Sequence, residues 1–220
     1  MMKQLHELIN LDEPAWPLVQ QWLAEATNHV EVLPPADNAT RERALLDTQV
    51  TTRSPMGAVI YESGGILVDH GWLRILGAGH TRLPRSLPAW NLTRSISTAG
   101  EAPPFLLIAD DAIGGFFAID GGGLGLGAGE VCYFAPDTHE WESMEVGYSE
   151  FLDWCFTGDL EKYYANARWP GWQGEVRDVR GDHAISIYPY LSVEGPPVAE
   201  RSRRAISVSE LYALYVGGLQ

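Results

Sequence analysis

The apolar positions of this chain change period along its length. From Leu5 to Asp47 they recur every three to four residues: Leu5, Leu8 and Ile9, then Trp16, Val19 and Leu23, then Ala44, Leu45 and Leu46 opposite Arg41, Glu42 and Arg43. That spacing predicts helices, the second capped by Asp12 and the third running from Asn38 to Asp47. Val32 to Ala36, with Pro34 and Pro35, reads as a connector between them. Ser54 followed by Pro55 then opens SPMGAVIYESGG, a helix with Met56, Val59 and Ile60 on one face and Gly64 or Gly65 as a left-handed cap.

Beyond that helix the period shortens. ILVDHGWLRILG predicts two strands joined by a tight turn at Asp69, His70 and Gly71, and a long aperiodic loop follows from Arg82 to about Pro104. Phe105 to Asp110, Phe116 to Ile119 and Glu130 to Phe134 read as an antiparallel meander with a glycine-rich turn, and Trp141 falls in one more short strand. Ser149 is placed to cap a helix carrying Phe151, Leu152, Cys155 and Phe156, closed by Gly158, and Asp159 to start another with Leu160, Tyr163 and Tyr164. WPGWQGEVRDVRGDH reads as turns, AISIYPYL as an edge strand because of Pro189, and Ser207 to Glu210 as a capping box ahead of Leu211, Leu214 and Tyr215.

Together these elements predict an α+β fold, a central antiparallel meander with helices packed around it. We expect one globular domain over 1–220, with a helical N-terminal part (1–50), a central core (54–156) and a C-terminal elaboration (157–220). A hydrophobic content of 45% supports a packed core of this size rather than a disordered chain.

A formal charge of −14 repels phosphate backbones and anionic headgroups, so nucleic acid and membrane surfaces are unexpected partners and a basic protein is an expected one. The basic residues are almost all Arg, the better residue for fixed pairing with carboxylates. Cys132 and Cys155 each sit in an apolar run outside any C-x-x-C pair, which predicts buried free thiols. The first residues carry acids and lack the apolar run of a secretory signal. No stretch approaches the roughly 18 apolar residues of a membrane span, so a cytoplasmic protein is expected.

The glycine cluster GGGLGLGAG satisfies a loose G-x-G-x-x-[GA] pattern at Gly123, Gly125 and Ala128. Dinucleotide binding requires a helix directly after those glycines, and here a strand follows. A flexible hairpin loop is the reading, with no cofactor expected. His139-Glu140 lacks the second His that H-E-x-x-H metal chemistry needs, because that place is Ser143. Gly147 to Phe151 fails the G-x-S-x-G elbow at its last position. No metal site and no catalytic residue is assigned.

The carboxylates carry more weight. Asp110, Asp111, Asp137, Glu140, Glu142, Glu145, Glu150 and Asp153 lie close in sequence with no Lys or Arg between them. They are read as a solvated face, a protein-recognition face, or the source of a catalytic or metal-binding pair. Such like charge favours an attractive partner: a basic protein, or the Arg53, Arg74, Arg82, Arg85 and Arg94 region of the same or a neighbouring chain, which admits a homo-oligomer.

The stretches TRSPMGAVIYESGGILVDHGWLRILG, FLLIADDAIGGFFAIDGGG, GEVCYFAPDTHEWE and GYSEFLDW resemble a bacterial family of unknown function, family 2625, over nearly the whole chain. More distantly, the order of a helix ending in Gly64-Gly65, IADD then GGFFAID, GEVCYFAPDTHEW and FLDW is similar to the SUKH superfamily of Smi/Knr-type proteins. That resemblance implies a central antiparallel sheet and, for many bacterial members, immunity against a secreted toxin through direct protein binding. The long glycine loop and the C-terminal segment depart from it.

The expectation is therefore a non-catalytic binding module of immunity or scaffold type. Its binding face would comprise Trp141, Glu142, Glu145, Glu150 and Asp153, with Trp141 as an apolar anchor ringed by charge. The alternative is a hydrolase or carbohydrate-binding protein that combines Trp90, Trp169 and Trp172 with a carboxylate pair.

Overall fold

A computed structural model of the chain describes residues 2–92, 94–96 and 102–217. Seven strands form one sheet in sequence order, every neighbouring pair antiparallel. They are β1 (Val30–Leu33), β2 (Gly65–Val68), β3 (Leu73–Leu76), β4 (Phe105–Asp111), β5 (Phe116–Asp120), β6 (Val131–Phe134) and β7 (Trp141–Ser143). The expected meander is present, and it is longer than expected by β1. Val30 to Leu33, whose second half falls in the segment read as a connector, pairs with β2 at the sheet edge, and the two prolines begin only after its last residue.

The helices are α1 (Leu5–Leu8), α2 (Trp16–Glu25), α3 (Asn38–Thr48), α4 (Pro55–Glu62), α5 (Leu87–Asn91), α6 (Tyr148–Thr157), α7 (Leu160–Tyr163), α8 (Trp172–Asp178) and α9 (Val208–Tyr215). Several caps follow the local chemistry. Ser54 accepts from the Gly57 amide, Asp159 from the Lys162 amide, and Ser207 and Glu210 complete a capping box. Five readings are corrected. α2 begins after Ala15 rather than Asp12; α4 ends on an extended Ser63 rather than a left-handed glycine; α6 begins after Gly147 rather than Ser149. The fourth is α8, a helix inside the segment read as turns, where Trp172 and Val176 are buried one turn apart. The fifth is α5, capped by Ser86 inside the segment read as a long aperiodic loop, of which positions 93 and 97–101 lie outside the described residues.

Strand alternation assigns the sheet two faces. Phe117 and Tyr133 face α6, where Phe117 packs on Phe151 and Trp154; Phe116 and Phe134 face the other way, with Phe116 against Tyr212 of α9. A hairpin of β8 (His183–Tyr188) and β9 (Ser202–Ser207) carries α9. It joins the main sheet where the Ile185 amide donates to the Ala112 carbonyl.

The glycine-rich loop between β5 and β6 is a hairpin loop followed by a strand, and its backbone is tied to one side chain. The buried Asp120 carboxylate accepts amides from Gly122 at 2.6 Å, Leu124 at 3.0 Å, Leu126 at 3.0 Å and Gly127 at 3.1 Å. Desolvation pushes this carboxyl up, but the four backbone donors prevail and hold it at about 2.

Candidate functional site: an aromatic and acidic cleft

The adjacent carboxylates Asp110 and Asp111 end β4 and point to opposite faces of the sheet. Asp110 is fully buried and pairs with Arg74, its cross-strand partner on β3, at 2.6 Å and with Arg85 at 2.6 Å. The same arginines hold the C-terminal part of the chain: Arg85 donates to the Gly181 carbonyl, and Arg74 to those of His183 and Asp111. Two of the arginines considered above as partners for the acidic stretch are thus neutralised inside the core.

Asp111 lies under the opposite face. One carboxylate oxygen accepts the Ile113 and Gly115 amides; the other accepts the Tyr133 hydroxyl at 2.8 Å and the Tyr164 hydroxyl at 3.3 Å. A Cβ at Gly115 would collide with both the Asp111 carboxylate and the Tyr133 hydroxyl, so the network requires glycine there. Burial pushes the Asp111 carboxyl up, and burial followed by the Asp111 charge pushes the Tyr133 and Tyr164 phenols well up.

These tyrosines form one wall of a cleft of about 660 Å³, bounded by Asp137 and Glu142 on one side and by the loop carrying Pro196, Val198 and Arg201 on the other. The Arg201 side chain donates to the carbonyls of Pro189, Tyr190, Val193 and Pro196, which fixes that loop. A second hollow of about 330 Å³ adjoins it through the shared residues Tyr133, Glu142 and Tyr163 and extends to Met144 and Trp154. Its aromatic walls meet at steep angles: Trp154 and Tyr163 have ring centroids 4.9 Å apart at 76°, Tyr133 and Tyr163 6.0 Å apart at 63°. Desolvation raises the Tyr163 phenol, with Asp111, Glu142 and Asp137 adding to it, so it stays neutral beside them.

The five residues expected to form one binding face do not share a single surface. Glu142 and Trp141 are neighbours on β7 and alternate: Glu142 stands opposite Tyr133 on the α6 side, whereas Trp141 stands opposite Phe134 and packs on Phe134 and Phe105. Trp141 is half-buried against the core rather than ringed by the carboxylates. Glu142, Glu145, Glu150 and Asp153 are all exposed, the last two on α6 and Glu145 in the turn before it with a left-handed φ of 57°. Tyr133, Trp154 and Tyr163 were not singled out in the sequence. The period-2 placement of Tyr133 beside an edge-strand Glu was the one available signal.

The tryptophans of the carbohydrate alternative are also relocated. Trp90, Trp169 and Trp172 are 4%, 3% and 8% exposed, too buried to serve as stacking platforms. Trp172 and Trp72 enclose the Arg168 guanidinium, which pairs with Asp69. Asp69 and His70 do form the expected turn, both with left-handed φ, and His70 stacks on His29 at 4.3 Å. Among the described residues no group of three or more His, Cys, Asp or Glu side chains is arranged to hold a metal ion, and no helix is long and apolar enough to cross a membrane.

The fold is thus mixed α+β, a seven-stranded antiparallel meander with a tyrosine-lined cleft over a buried aspartate. The chain is a member of the family described as "Protein of unknown function DUF2625", whose model matches residues 5–211. It is similar to YbfG, an uncharacterised protein of Escherichia coli (strain K12), with 46% identity over 97% of this chain and 95% of that protein. It is likewise similar to an uncharacterised protein of Haemophilus influenzae, with 41% identity over 96% of this chain and 92% of that protein.

Proposed function

We propose that this protein is a non-catalytic binding module, of immunity or scaffold type, that meets a basic protein through the acidic surface between β6 and the end of α6. One observation carries the reading. Six exposed carboxylates, Asp137, Glu140, Glu142, Glu145, Glu150 and Asp153, fall within seventeen residues, and no described Arg or Lys lies within ion-pair distance of any of them. Concentrated like charge without counter-ions costs stability and is offset when a cationic surface docks on it. The resemblance to SUKH proteins supports the same reading, since direct protein binding is what that likeness implies.

The test is capture of partners on the immobilised protein, identification by mass spectrometry, and reconstitution with the purified partner. Affinity is expected to fall steeply with added salt, and the triple reversal E142K/E145K/E150K to weaken binding by about tenfold or more. A purified complex indifferent to both would overturn the proposal.

A further inference from the structure

The chain repeatedly places an arginine over an aromatic ring and beside a carboxylate. Arg168 lies 4.1 Å from the Trp172 ring centre and 4.7 Å from that of Trp72, paired with Asp69. Arg203 lies 4.6 Å over Trp169 and 3.1 Å from Glu175; Arg41 lies 4.2 Å over Tyr61 and 3.3 Å from Glu62. Arg94 covers Trp90 at 3.6 Å. The aromatic corner of Trp154 and Tyr163, floored by the buried Tyr133, has the same ingredients, with Glu142 at its edge, a hollow of about 330 Å³ and a Tyr163 that is 45% exposed. Among the described residues, no Arg or Lys of the chain is seated over these three rings.

We infer that Trp154, Tyr163 and Glu142, above a floor formed by the buried Tyr133, form a receptor for a guanidinium group, the side chain of an arginine presented by a partner protein. The inference rests on the proposed acidic recognition surface and assigns its specific pocket. The Trp154 and Tyr163 rings attract a cation through their quadrupoles, and the Glu142 carboxylate accepts two parallel N–H bonds from a planar guanidinium, which an ammonium cannot supply. The buried Asp111 carboxyl, bonded to the Tyr133 hydroxyl, fixes the floor of the pocket before any ligand arrives. Asp137 and Glu142 both line the adjoining cleft and bias its entrance towards cations.

The probes are N-acetyl-arginine amide, its uncharged isostere N-acetyl-citrulline amide, N-acetyl-lysine amide and a nine-residue arginine peptide, each titrated while the indole N–H of Trp154 is followed by NMR and assigned with W154F. The arginine amide is expected to move that signal saturably, the citrulline amide to leave it in place, and the lysine amide to bind more weakly. E142Q and Y163A should each weaken the arginine amide about three- to tenfold, while Y163F retains it. Equal response to citrulline, stronger binding of lysine, no movement with arginine, or indifference to E142Q and Y163A would overturn the inference; the wild-type comparisons need no variant to fold. The peptide separates the two proposals. Salt-dependent binding of it that ignores Y163A and leaves Trp154 unmoved sinks the pocket and spares the acidic surface, whereas no binding at low salt sinks both.

Discussion

Replacing Asp110 with Asn should be among the most damaging single changes in the core, although it alters one atom. The Asp110 carboxylate meets two buried cations, Arg74 at 2.6 Å and Arg85 at 2.6 Å, whose side chains are 4% and 9% exposed. An Asn keeps one acceptor and turns an amide donor towards the other guanidinium, leaving a buried charge without its counter-ion. Removing one partner of a buried pair costs about 3–5 kcal/mol. For a chain of this size each 1 kcal/mol moves the melting temperature by roughly 2–4 °C, so D110N is expected to melt roughly 10 °C below wild type. The neighbouring D111N is the control. Its Oδ1 still accepts the Ile113 and Gly115 amides, its new NH₂ can donate to the Tyr133 hydroxyl, and the expected loss is about 1 kcal/mol. The pH dependence follows from the raised Asp111 carboxyl. Its ionisation opposes folding, so this cost is absent below the ordinary value of 3.8 and grows as pH rises through the folded value; the gap between wild type and D111N should narrow on that climb. The assay is thermal and denaturant unfolding of both variants across that pH range. A D110N melting temperature equal to that of D111N would refute the assignment of Asp110 as the shared counter-ion.

Two further outcomes are expected. D120A removes the acceptor of four backbone amides and should cost about 1–3 kcal/mol at neutral pH. Because the folded carboxyl is depressed to about 2 from an ordinary 3.8, this contribution is complete above 3.8 and is lost as pH falls through about 2; the variant and wild type should converge there, and the amides of Gly122, Leu124, Leu126 and Gly127 should exchange faster in the variant at neutral pH. Cys132 and Cys155 are both free and fully buried, and burial, with Asp120 and Glu130 adding, raises the Cys132 thiol to about 11. Iodoacetamide should therefore label neither thiol in the native protein near neutral pH and both after denaturation, as read by intact mass; rapid native labelling of either would contradict its placement.

What could be read from the sequence was what is decided locally. The caps at Ser54, Asp159 and Ser207 need only residues three positions apart, and the meander follows from short connections between period-2 runs. The misread boundaries depend on distant partners. Asn10 accepts the Glu13 amide and is itself held by Thr52, so the turn before α2 is built by a residue forty-two positions away and Asp12 has no capping task. β1 is four residues long and is a strand because β2 lies beside it, a fact its own composition does not carry. α8 was hidden by glycines at 171, 174 and 181; its helical register is fixed by packing Trp172 against Trp72, at 5.0 Å between ring centres, and by the Trp169 indole donating to Glu175.

The same division explains the carboxylates. Grouping them by proximity along the chain joined Asp110 to Asp111 and Trp141 to Glu142, yet within a strand neighbouring residues are those most surely separated, because the pleat sends them to opposite faces. That rule sends Asp110 to two arginines from β3 and the loop after it, Asp111 to two tyrosines, Trp141 to the core and Glu142 to the cleft. The acidic stretch is thus two populations: aspartates at the end of β4 whose partners are internal, and an exposed set beginning at Asp137 that has no cation of its own. Arginines of the chain already fill aromatic and acidic boxes at Trp72, Trp169 and Tyr61. Removing Asp110 and Asp111 from the acidic surface therefore does not weaken the case for a partner. In the reading proposed above, the exposed set is the surface left for a partner, and Glu142 beside Tyr133, Trp154 and Tyr163 is its aromatic corner.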